Sequence, residues 1–406
     1  MSLLQELANP QRRAMDVIKE VAAEKDCRPF LVGGPVRDIL LGRHSVDLDL
    51  TLETGGSTLA RALAKRIDGR VRSFPQFLTY KVTANEFPEI DIATARKERY
   101  RKPGALPAVT AGRLKDDLVR RDFSINAIAL DVMTGAMHDP THGQRDLDAR
   151  LVRVLHEKSF ADDPTRIFRA IRLAVRLGFT LEASTEQWMR DAIANDALAT
   201  VSKERIWREL FLAMEELKAP EILVELCERG ALRVLFGHRA GGDLQSRLNS
   251  AREQLAENDD LDREVLYTGA LLRGDASPVD FEGSGFSQKR ARAVVEIANE
   301  LPRVEEALGA ALDDRARFRI YRSVSPEMLT VIATEVPDEQ QHIRRYRDFE
   351  NFKLPLRGND LEVPGGPHVA QALERTREAV FSGEIPPEEA KTYARRIAKR
   401  LLEESA

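Results

Sequence analysis

The segment from Leu31 to Gly42 limits the possible folds more than any other part of the chain. It begins with a short apolar run that ends in glycine, which predicts a buried strand. Gly33 and Gly34 permit positive φ and close approach of the backbone to a ligand, and Pro35 suits the first turn of a helix. Because the free N–H groups of a first helical turn attract phosphate, this strand–turn–helix segment is a candidate phosphate site.

Two carboxylates, Asp47 and Asp49, follow the predicted helix after a very short gap. The alternation from Ser45 to Thr51 predicts a strand, on which residues two apart point to the same face. Neighbouring carboxylates repel each other unless a cation lies between them, and Mg²⁺ is the usual cation. A pair of metal ions can stabilise both oxygens of an in-line displacement. Each pattern alone is common in ordinary turns and strands, but their order favours phosphoryl-transfer chemistry.

The composition indicates a globular protein with room for at least two domains. The chain has 406 residues, of which 43% are hydrophobic and 32% charged. No apolar run is long enough to cross a bilayer. The N-terminal segment lacks the apolar core of a signal peptide, so we expect a cytoplasmic protein without membrane contact.

The net charge of -4 argues against indiscriminate nucleic-acid binding, but the basic residues are clustered. Nine Lys or Arg against three Asp or Glu lie between Arg96 and Arg121, and further clusters lie at 344–347 and 395–400. Such patches either follow a phosphate backbone or form solvated helix faces, and the sequence leaves both interpretations open.

The periodicity of the sequence changes near residue 159. Before it, short apolar runs and helical stretches alternate, which indicates an α/β or α+β domain. The predicted strands lie near 29–32, 46–52, 79–84 and 88–95, and the predicted helices near 9–25, 35–41 and 57–67. Residues 97–113 carry Pro, Gly and charge without periodicity, which predicts a mobile loop. After residue 159 helical periodicity dominates.

Three further groups of residues carry polar chemistry. Asp91, on a predicted strand, is either a third carboxylate beside the first pair or a solvated strand-end residue. Residues 120–122 and Asn126 combine guanidinium, carboxylate and amide groups at a helical offset, which suits phosphate and sugar binding. Asp163 precedes a predicted helix, and Arg166 lies three residues after Asp163. An Asp–Arg pair can hydrogen-bond the edge of a nucleobase, although a capping Asp with a helix ion pair is the simpler interpretation.

Together these motifs make the chain resemble a class II member of the tRNA nucleotidyltransferase and bacterial poly(A) polymerase family. Six motifs occur in the family order, between about residues 30 and 210. They are Gly33-Gly34-x-Val36-Arg37-Asp38, Asp47-x-Asp49, Arg120-Arg121-Asp122-Phe123-x-Ile125-Asn126-Ala127, Asp139-Pro140 with Gly143-x-x-Asp146-Leu147, Asp162-Asp163-x-x-Arg166, and Val201-Ser202-x-Glu204-Arg205-Ile206.

The resemblance implies an α+β fold, with a polymerase-β-like nucleotidyltransferase head of mixed sheet and helices followed by an all-α neck, body and tail. The expected ranges are 1–155 for the catalytic head, 156–240 for the neck, 241–340 for the body and 341–406 for the tail. The neck would select the nucleobase and bind RNA. The tail, in which residues 356–367 resemble a family element, would bind tRNA.

The resemblance also implies a role for each motif. Asp47 and Asp49 would coordinate two Mg²⁺ ions and activate the RNA 3′-hydroxyl, and Asp91 would be a supporting catalytic carboxylate. Asp163 and Arg166 would select CTP or ATP by pairing with the base edge. The nucleotide-binding residues would be Gly33, Gly34, Arg37, Asp38, Arg120, Arg121, Asp122, Asn126, Asp162, Asp163, Arg166 and Arg169.

Two positions depart from the family pattern. Asp162 stands where the family usually has Glu, which supports the base-selecting arginine, so the shorter side chain puts that contact in doubt. His142 stands where a second glycine often occurs, which could alter a hinge.

The resemblance leaves the nucleotide specificity to details. The loop at 97–113 has full length, which argues against an enzyme that adds only CC, and residues 71–80 differ from the basic-aromatic segment of poly(A) polymerases. We therefore expect addition of CCA to tRNA by two-metal phosphoryl transfer. Alternatives are an A-adding enzyme, a poly(A) polymerase and a catalytically inactive RNA-binding homologue.

Overall fold

The computed structural model describes residues 3–43, 47–237, 243–259, 261–272 and 281–404. The chain divides into two compact units. The first consists of Met1–Arg239 with Glu282–Ser284, and the second of Ala240–Phe281 with Gly285–Ala406. All strands of the described residues belong to the first unit.

A seven-stranded mixed sheet forms the centre of the first unit, with the strand order β3-β4-β5-β2-β1-β8-β9. Neighbouring strands are antiparallel except β2 and β5, which are parallel. Two smaller pairs lie outside this sheet, β6 with β7 and β10 with β11. The strands are β1 (Phe30–Val32), β2 (Leu48–Leu52), β3 (Arg70–Phe74), β4 (Thr79–Ala84), β5 (Phe87–Thr94), β6 (Arg96–Arg99), β7 (Ala108–Ala111), β8 (Ala129–Asp131), β9 (Met137–His138), β10 (Leu151–Val152) and β11 (Thr180–Leu181).

Helices follow or cover this sheet. The helices of the first unit are α1 (Asn9–Glu24), α2 (Gly34–Leu40), α3 (Gly56–Arg66), α4 (Leu114–Val119), α5 (Gly143–Asp148), α6 (Ser159–Asp162), α7 (Arg166–Leu177), α8 (Ala183–Ala194), α9 (Lys203–Met214), α10 (Ala219–Glu228) and α11 (Arg233–Phe236). Helices α1 and α3 pack on each other, α1 also on β5, and α3 on β3, β4 and β5. Apolar residues of α1 at helical spacing, among them Met15, Ile18 and Val21, are buried in this contact.

The segment predicted as a mobile loop at 97–113 is partly ordered. Strands β6 and β7 pair antiparallel, with Arg96 opposite Ala111 and Arg99 opposite Ala108. The prediction was therefore wrong for residues 97–99 and 108–111, because backbone pairing overrides the charged composition of the segment. Residues 100–107, which connect the strands, and residues 112–113 are irregular.

The second unit is helical throughout its described part. Its helices are α12 (Leu244–Glu257), α13 (Arg263–Leu272), α14 (Gln288–Val295), α15 (Leu301–Gly309), α16 (Asp314–Ser323), α17 (Pro326–Glu335), α18 (Gln340–Glu350), α19 (Pro367–Phe381) and α20 (Ala390–Glu404). Buried aromatic rings of Phe318, Tyr346 and Phe381 join α16, α18 and α19. The basic clusters at 344–347 and 395–400 lie on α18 and α20.

The structure confirms the expected α+β class, a mixed sheet with helices followed by a mainly helical part. The two-residue strand β11 nevertheless lies in the range that was expected to be all-α. The four predicted strands correspond to β1, β2, β4 and β5, although residue 46 lies outside the described residues. Strands β3, β8 and β9 were not predicted. The expected boundary at 240/241 also falls outside the described residues, so the four-domain division stays a prediction. Among the described residues, no helix combines the length and the apolar character needed to cross a bilayer.

Candidate active site

Three carboxylates meet on the central sheet. Asp49 of β2 lies directly opposite Asp91 of β5 in the parallel register, and Asp47 immediately precedes β2. Burial, followed by the negative charges of Asp91 and Asp47, raises the pKa of Asp49 to about 6. Lys81 of β4 lies opposite Asp91, and its Nζ is 3.3 Å from Asp91 Oδ2. The strand register therefore brings Asp91 next to Asp49, from which it is separated by 42 residues in the sequence. Asp47 is near them because it lies only two residues before Asp49.

The turn after β1 requires a glycine at one of its two glycine positions. Gly33 has φ 75°, and a Cβ there would lie 2.8 Å from a terminal nitrogen of Arg121. Gly34 begins α2 and has no such conflict. The Arg121 guanidinium thus lies against the turn, and its buried Nε has no hydrogen-bond partner within the described residues. An unsatisfied donor beside a helix N-terminus suits an anionic ligand.

Five of the predicted nucleotide-binding residues form one hydrogen-bonded chain. Arg37 donates to Asp38 Oδ1 at 2.9 Å and to Asn126 Oδ1 at 2.7 Å. Asn126 donates to Asp122 Oδ1 at 3.1 Å, and Arg169 donates to Asp122 Oδ2 at 2.5 and 3.0 Å. Residues from α2, from the turn after α4 and from α7 are thereby fixed relative to one another.

The charges within this chain support one another. Burial disfavours the ionised form of Asp122, but the positive charge of Arg169 and hydrogen bonds from Arg169 and Asn126 outweigh it and lower its pKa. In turn, the negative charge of Asp122 raises the pKa of Arg169. Arg37 is 4% exposed, and burial lowers its pKa although Asp38 opposes this. A guanidinium has so high an intrinsic pKa that Arg37 stays charged, so the chain consists of two anion–cation pairs joined by the neutral amide of Asn126.

A cavity of about 300 Å³ lies between the carboxylates and α7. Its lining includes four aspartates, Asp38, Asp47, Asp49 and Asp122, and four arginines, Arg37, Arg169, Arg172 and Arg176. Sequence reasoning missed Arg172 and Arg176 as site residues. Their spacing of three and seven from Arg169 is helical and would have placed them on the same side of α7. A cavity lined by both carboxylates and guanidinium groups suits a polyphosphate with its metal ions.

Arg120 and Arg121 share one buried carboxylate. Arg120 donates to Asp117 Oδ1 at 2.6 and 3.0 Å and to Glu98 Oε1 at 2.8 Å. Arg121 donates to Asp117 Oδ2 at 3.0 Å. Sequence reasoning assigned no role to Asp117, although its positions three and four residues before the two arginines are those of helical ion pairs.

Asp163 and Arg166 do not form the pair that their spacing suggested. Helix α7 begins at Arg166, and Asp163 directly follows the short α6, so the two are not on one first turn. Asp163 Oδ1 accepts from Thr165 Oγ1 at 2.6 Å and from Arg205 at 2.9 Å. Arg166 is 5% exposed and donates to Ser159 Oγ at 2.6 Å and to the Arg120 carbonyl at 3.1 Å. Pro164 explains the difference, because the residue before a proline avoids helical geometry.

Asp163 and Arg166 nevertheless line one cavity of about 530 Å³. This cavity adjoins the first, since Asp122 and Arg169 line both. Its wall also includes Glu98, Tyr100, Leu106 and Pro107 from the hairpin segment and Arg205 from α9. Arg205 donates to the Gly104 carbonyl at 2.8 Å as well as to Asp163, so it joins the hairpin connection to Asp163. Sequence reasoning quoted Arg205 in a motif without giving it this role.

The two departures from the family pattern have local explanations. Asp162 does not contact Arg166, and its carboxylate lies 4.0 Å from His156 Nε2; Ser159 supports Arg166 instead. His142 has φ 59°, in the left-handed region that glycine occupies most easily. The following Gly143 lies so close to the Ser124 carbonyl that a Cβ would be 2.2 Å from its oxygen.

The carboxylates of Asp47 and Asp49 supply part of a donor set for magnesium. No cluster of three or more His, Cys, Asp or Glu residues in the described ranges is arranged to hold a metal by itself. Mg²⁺ is commonly held by one or two carboxylates together with substrate phosphates. The oxygen donors of Asp47 and Asp49 and the raised pKa of Asp49 fit such a shared site.

Comparison with known proteins gives two family matches. Residues 29–153 match the poly A polymerase head domain. Residues 178–239 match the family described as a probable RNA and SrmB-binding site of polymerase A. The first match contains Asp47, Asp49 and Asp91, here called the carboxylate row, and the second contains α9.

Individual relatives are tRNA nucleotidyltransferases. The CCA-adding enzyme of Pseudomonas putida is 36% identical over 281 residues, which cover 66% of this chain and 71% of that enzyme. The A-adding tRNA nucleotidyltransferase of Aquifex aeolicus is 42% identical over 376 residues, 87% of this chain and 45% of that protein. The chain spans about half the length of several curated relatives it matches. A solved CCA-adding enzyme in an apo form has a TM-score of 0.81 at 24% identity, covering 99% of this chain and 98% of that one, which supports the fold.

Proposed function

The chain belongs to the tRNA nucleotidyltransferase and poly(A) polymerase family, and from this premise we propose that it adds nucleotides from CTP and ATP to the 3′ end of tRNA. The observation that carries the proposal is the cavity between the carboxylates and α7. The residues that line it supply what nucleotidyl transfer requires, namely oxygen donors for metal ions and guanidinium groups for phosphates.

In the proposed reaction the RNA 3′-hydroxyl oxygen attacks the α-phosphorus of the nucleotide. The bond from this phosphorus to the β-phosphate oxygen breaks, and diphosphate leaves. Asp47 and Asp49 would hold Mg²⁺, which when bound neutralises charge on the attacking and leaving oxygens. Asp91, opposite Asp49 in the register, would accept the hydroxyl proton.

The arginines that line this cavity would bind and orient the triphosphate. Arg169 is held by Asp122, and Arg37 by Asp38 and Asn126, so both guanidinium groups are fixed before the nucleotide arrives. Fixed donors lose little conformational freedom on binding, which favours an in-line arrangement of the reacting atoms. Arg121, whose terminal nitrogen lies beside Gly33 and whose Nε is unsatisfied, would contact the same phosphates.

The second cavity would select the base. Asp163 and Arg166 line it, and the base edge would be read by their carboxylate and guanidinium groups. We further propose that residues 1–155 act as the catalytic head, 156–240 as the base-selecting neck, and 241–340 and 341–406 as body and tRNA-binding tail.

Addition of CCA is the proposed specificity, because the resemblance implies a loop of full length at 97–113, and the connection between β6 and β7 in this loop borders the base cavity. A second candidate is addition of the terminal A alone. The similarity to the A-adding tRNA nucleotidyltransferase of Aquifex aeolicus, over 87% of this chain, favours it.

One assay tests both candidates. Purified protein with Mg²⁺ is given tRNA that ends before CCA, after the first C, or after CC, each with labelled CTP or ATP alone. A CCA-adding enzyme extends the first two with CTP and only the third with ATP, whereas an A-adding enzyme extends only the third, with ATP. Failure to incorporate either nucleotide into any of the three would overturn the proposed function.

A further inference from the structure

The carboxylate row continues across the sheet as a row of cations. Arg72 of β3 lies opposite Lys81 of β4, and Lys81 lies opposite Asp91 of β5. Asp91 in turn lies opposite Asp49 of β2. Residues directly opposite each other on neighbouring strands point to the same face. Four strands therefore present, in order, two cationic and two anionic side chains on one face of the sheet.

On β3, β4 and β5 this face lies away from helix α3. The next row along the strands, Val71, Val82, Ile90 and Leu48, points to the opposite face, and three of its four members are fully buried. Helix α3 packs against β3, β4 and β5. Because side chains alternate between faces, the row with Arg72 lies away from α3.

Strand β3 adds two further side chains to the face that carries Arg72. Arg70 and Phe74 lie two residues on either side of Arg72 and so share its face. Arg70 and Arg72 are exposed, and neither has an anionic partner among the described residues. The Arg72 guanidinium lies 5.0 Å from the centre of the Phe74 ring, which leaves its charge open to a ligand. Lys81, by contrast, is held by Glu89 and Asp91.

We propose that Arg70, Arg72 and Phe74, here called the β3 strip, bind the backbone of the RNA just before its 3′ end. The proposal rests on the proposed function, because it takes RNA as the substrate. Exposed arginines without carboxylate partners are contacts that phosphates can occupy without displacing an internal ion pair. An aromatic ring beside them is typical of surfaces that bind single-stranded nucleic acid.

The position of the β3 strip fits this role. Three strand spacings of about 4.8 Å place the backbone of Arg72 about 14 Å from that of Asp49. The strip therefore lies close enough for the RNA to reach it while its 3′-hydroxyl lies at the carboxylates. Beyond Phe74 the chain passes through Pro75–Phe77, and Phe77 lines the base cavity. The strip thus borders both the carboxylate row and the pocket for the incoming base.

The test compares the double variant Arg70→Gln, Arg72→Gln with Arg61→Gln. Arg61 is exposed on α3, which covers the opposite face, so it controls for the loss of surface charge. Affinity for tRNA ending in CC is measured over a range of salt concentrations. Loss of two phosphate contacts should reduce the slope of log affinity against log salt by about 1.4, from ~0.7 per contact on a single strand. The KM for this tRNA should rise about tenfold, with kcat and the KM for ATP unchanged.

Charge-preserving replacement sharpens the result. The variant Arg70→Lys, Arg72→Lys should keep the wild-type slope, because lysine also neutralises phosphate. A double Gln variant whose slope and KM match those of Arg61→Gln would overturn the proposal. Incorporation by the wild-type protein tests the proposed function separately. If the wild-type protein binds this tRNA but adds no nucleotide, the slope still decides whether the β3 strip binds RNA.

Discussion

The carboxylate row and the base cavity are held in place in different ways. Asp49 and Asp91 lie on neighbouring strands, and their spacing follows from the backbone register. Asp163 and Arg166 lie around a proline turn between α6 and α7. They are held by side-chain hydrogen bonds to α9, to Ser159 and to the Arg120 carbonyl. Backbone register fixes the first region, whereas a few side chains fix the second.

This difference suits two tasks. In the proposed function the transfer step is the same for every nucleotide, so a fixed carboxylate row would serve all of them. Base selection would depend on the orientation of two side chains, and each hydrogen bond that holds them contributes only about 1 kcal/mol. We therefore expect substitutions in the row to change the rate for all nucleotides alike, and substitutions around the cavity to change their ratio.

The largest effect is expected from Asp49→Ala. Without this oxygen donor the site would hold the metal poorly, and kcat should fall by about 10³-fold or more for both CTP and ATP. Binding of tRNA should be retained. Steady-state incorporation is measured beside Glu89→Gln, a carboxylate on β5 that pairs with Lys81 and borders the row without joining it. Equal losses in the two variants would contradict a special role for Asp49.

Arg166→Ala should have the next largest effect. Its removal takes a cationic group from the base cavity and leaves Ser159 Oγ and the Arg120 carbonyl without their donor. Discrimination among the four nucleotides should fall, and stability should fall by about 2 kcal/mol, as seen in urea unfolding. If the variant loses stability but keeps full discrimination, Arg166 only supports the fold and does not select the base.

A smaller effect is expected from Arg205→Met, which tests the link between the hairpin connection and Asp163. Loss of two hydrogen bonds from a charged donor should change the ratio of kcat/KM for ATP and CTP by about tenfold, with little change in the sum of the two. Arg190→Met on α8 is the control, since Arg190 is exposed and pairs only within its helix. A uniform loss for both nucleotides would place Arg205 with the transfer step instead.

The smallest effect is expected from His142→Gly. The left-handed conformation of His142 costs about 1 kcal/mol, and glycine relieves it at the expense of a more flexible unfolded chain. Stability should therefore change by less than about 1 kcal/mol, and the ATP to CTP ratio should stay at the wild-type value. A changed ratio would show that this turn also influences selection.

The sequence placed Asp47 and Asp49 together, left the position of Asp91 open, and indicated only part of the base cavity. Asp47 and Asp49 lie close in sequence on an apolar-alternating strand, so pattern alone placed them together. The pairing of Asp163 with Arg166 failed because Arg166 bonds to a carbonyl 46 residues away, which no local spacing reveals. Strand β3 was missed because its burial alternates weakly, with polar residues on both faces. The hairpin of β6 and β7 was missed because charge in its sequence outweighed the pairing of its backbone.

The most direct test of this contrast is the ratio of kcat/KM for ATP on tRNA ending in CC to kcat/KM for CTP on tRNA ending before CCA. It is measured for the wild-type protein and for Asp91→Asn and Asp163→Asn. We predict that Asp91→Asn lowers both values by the same factor and leaves the ratio unchanged, whereas Asp163→Asn changes the ratio at least about tenfold. A changed ratio in Asp91→Asn, or an unchanged one in Asp163→Asn, would contradict the separation of transfer from selection.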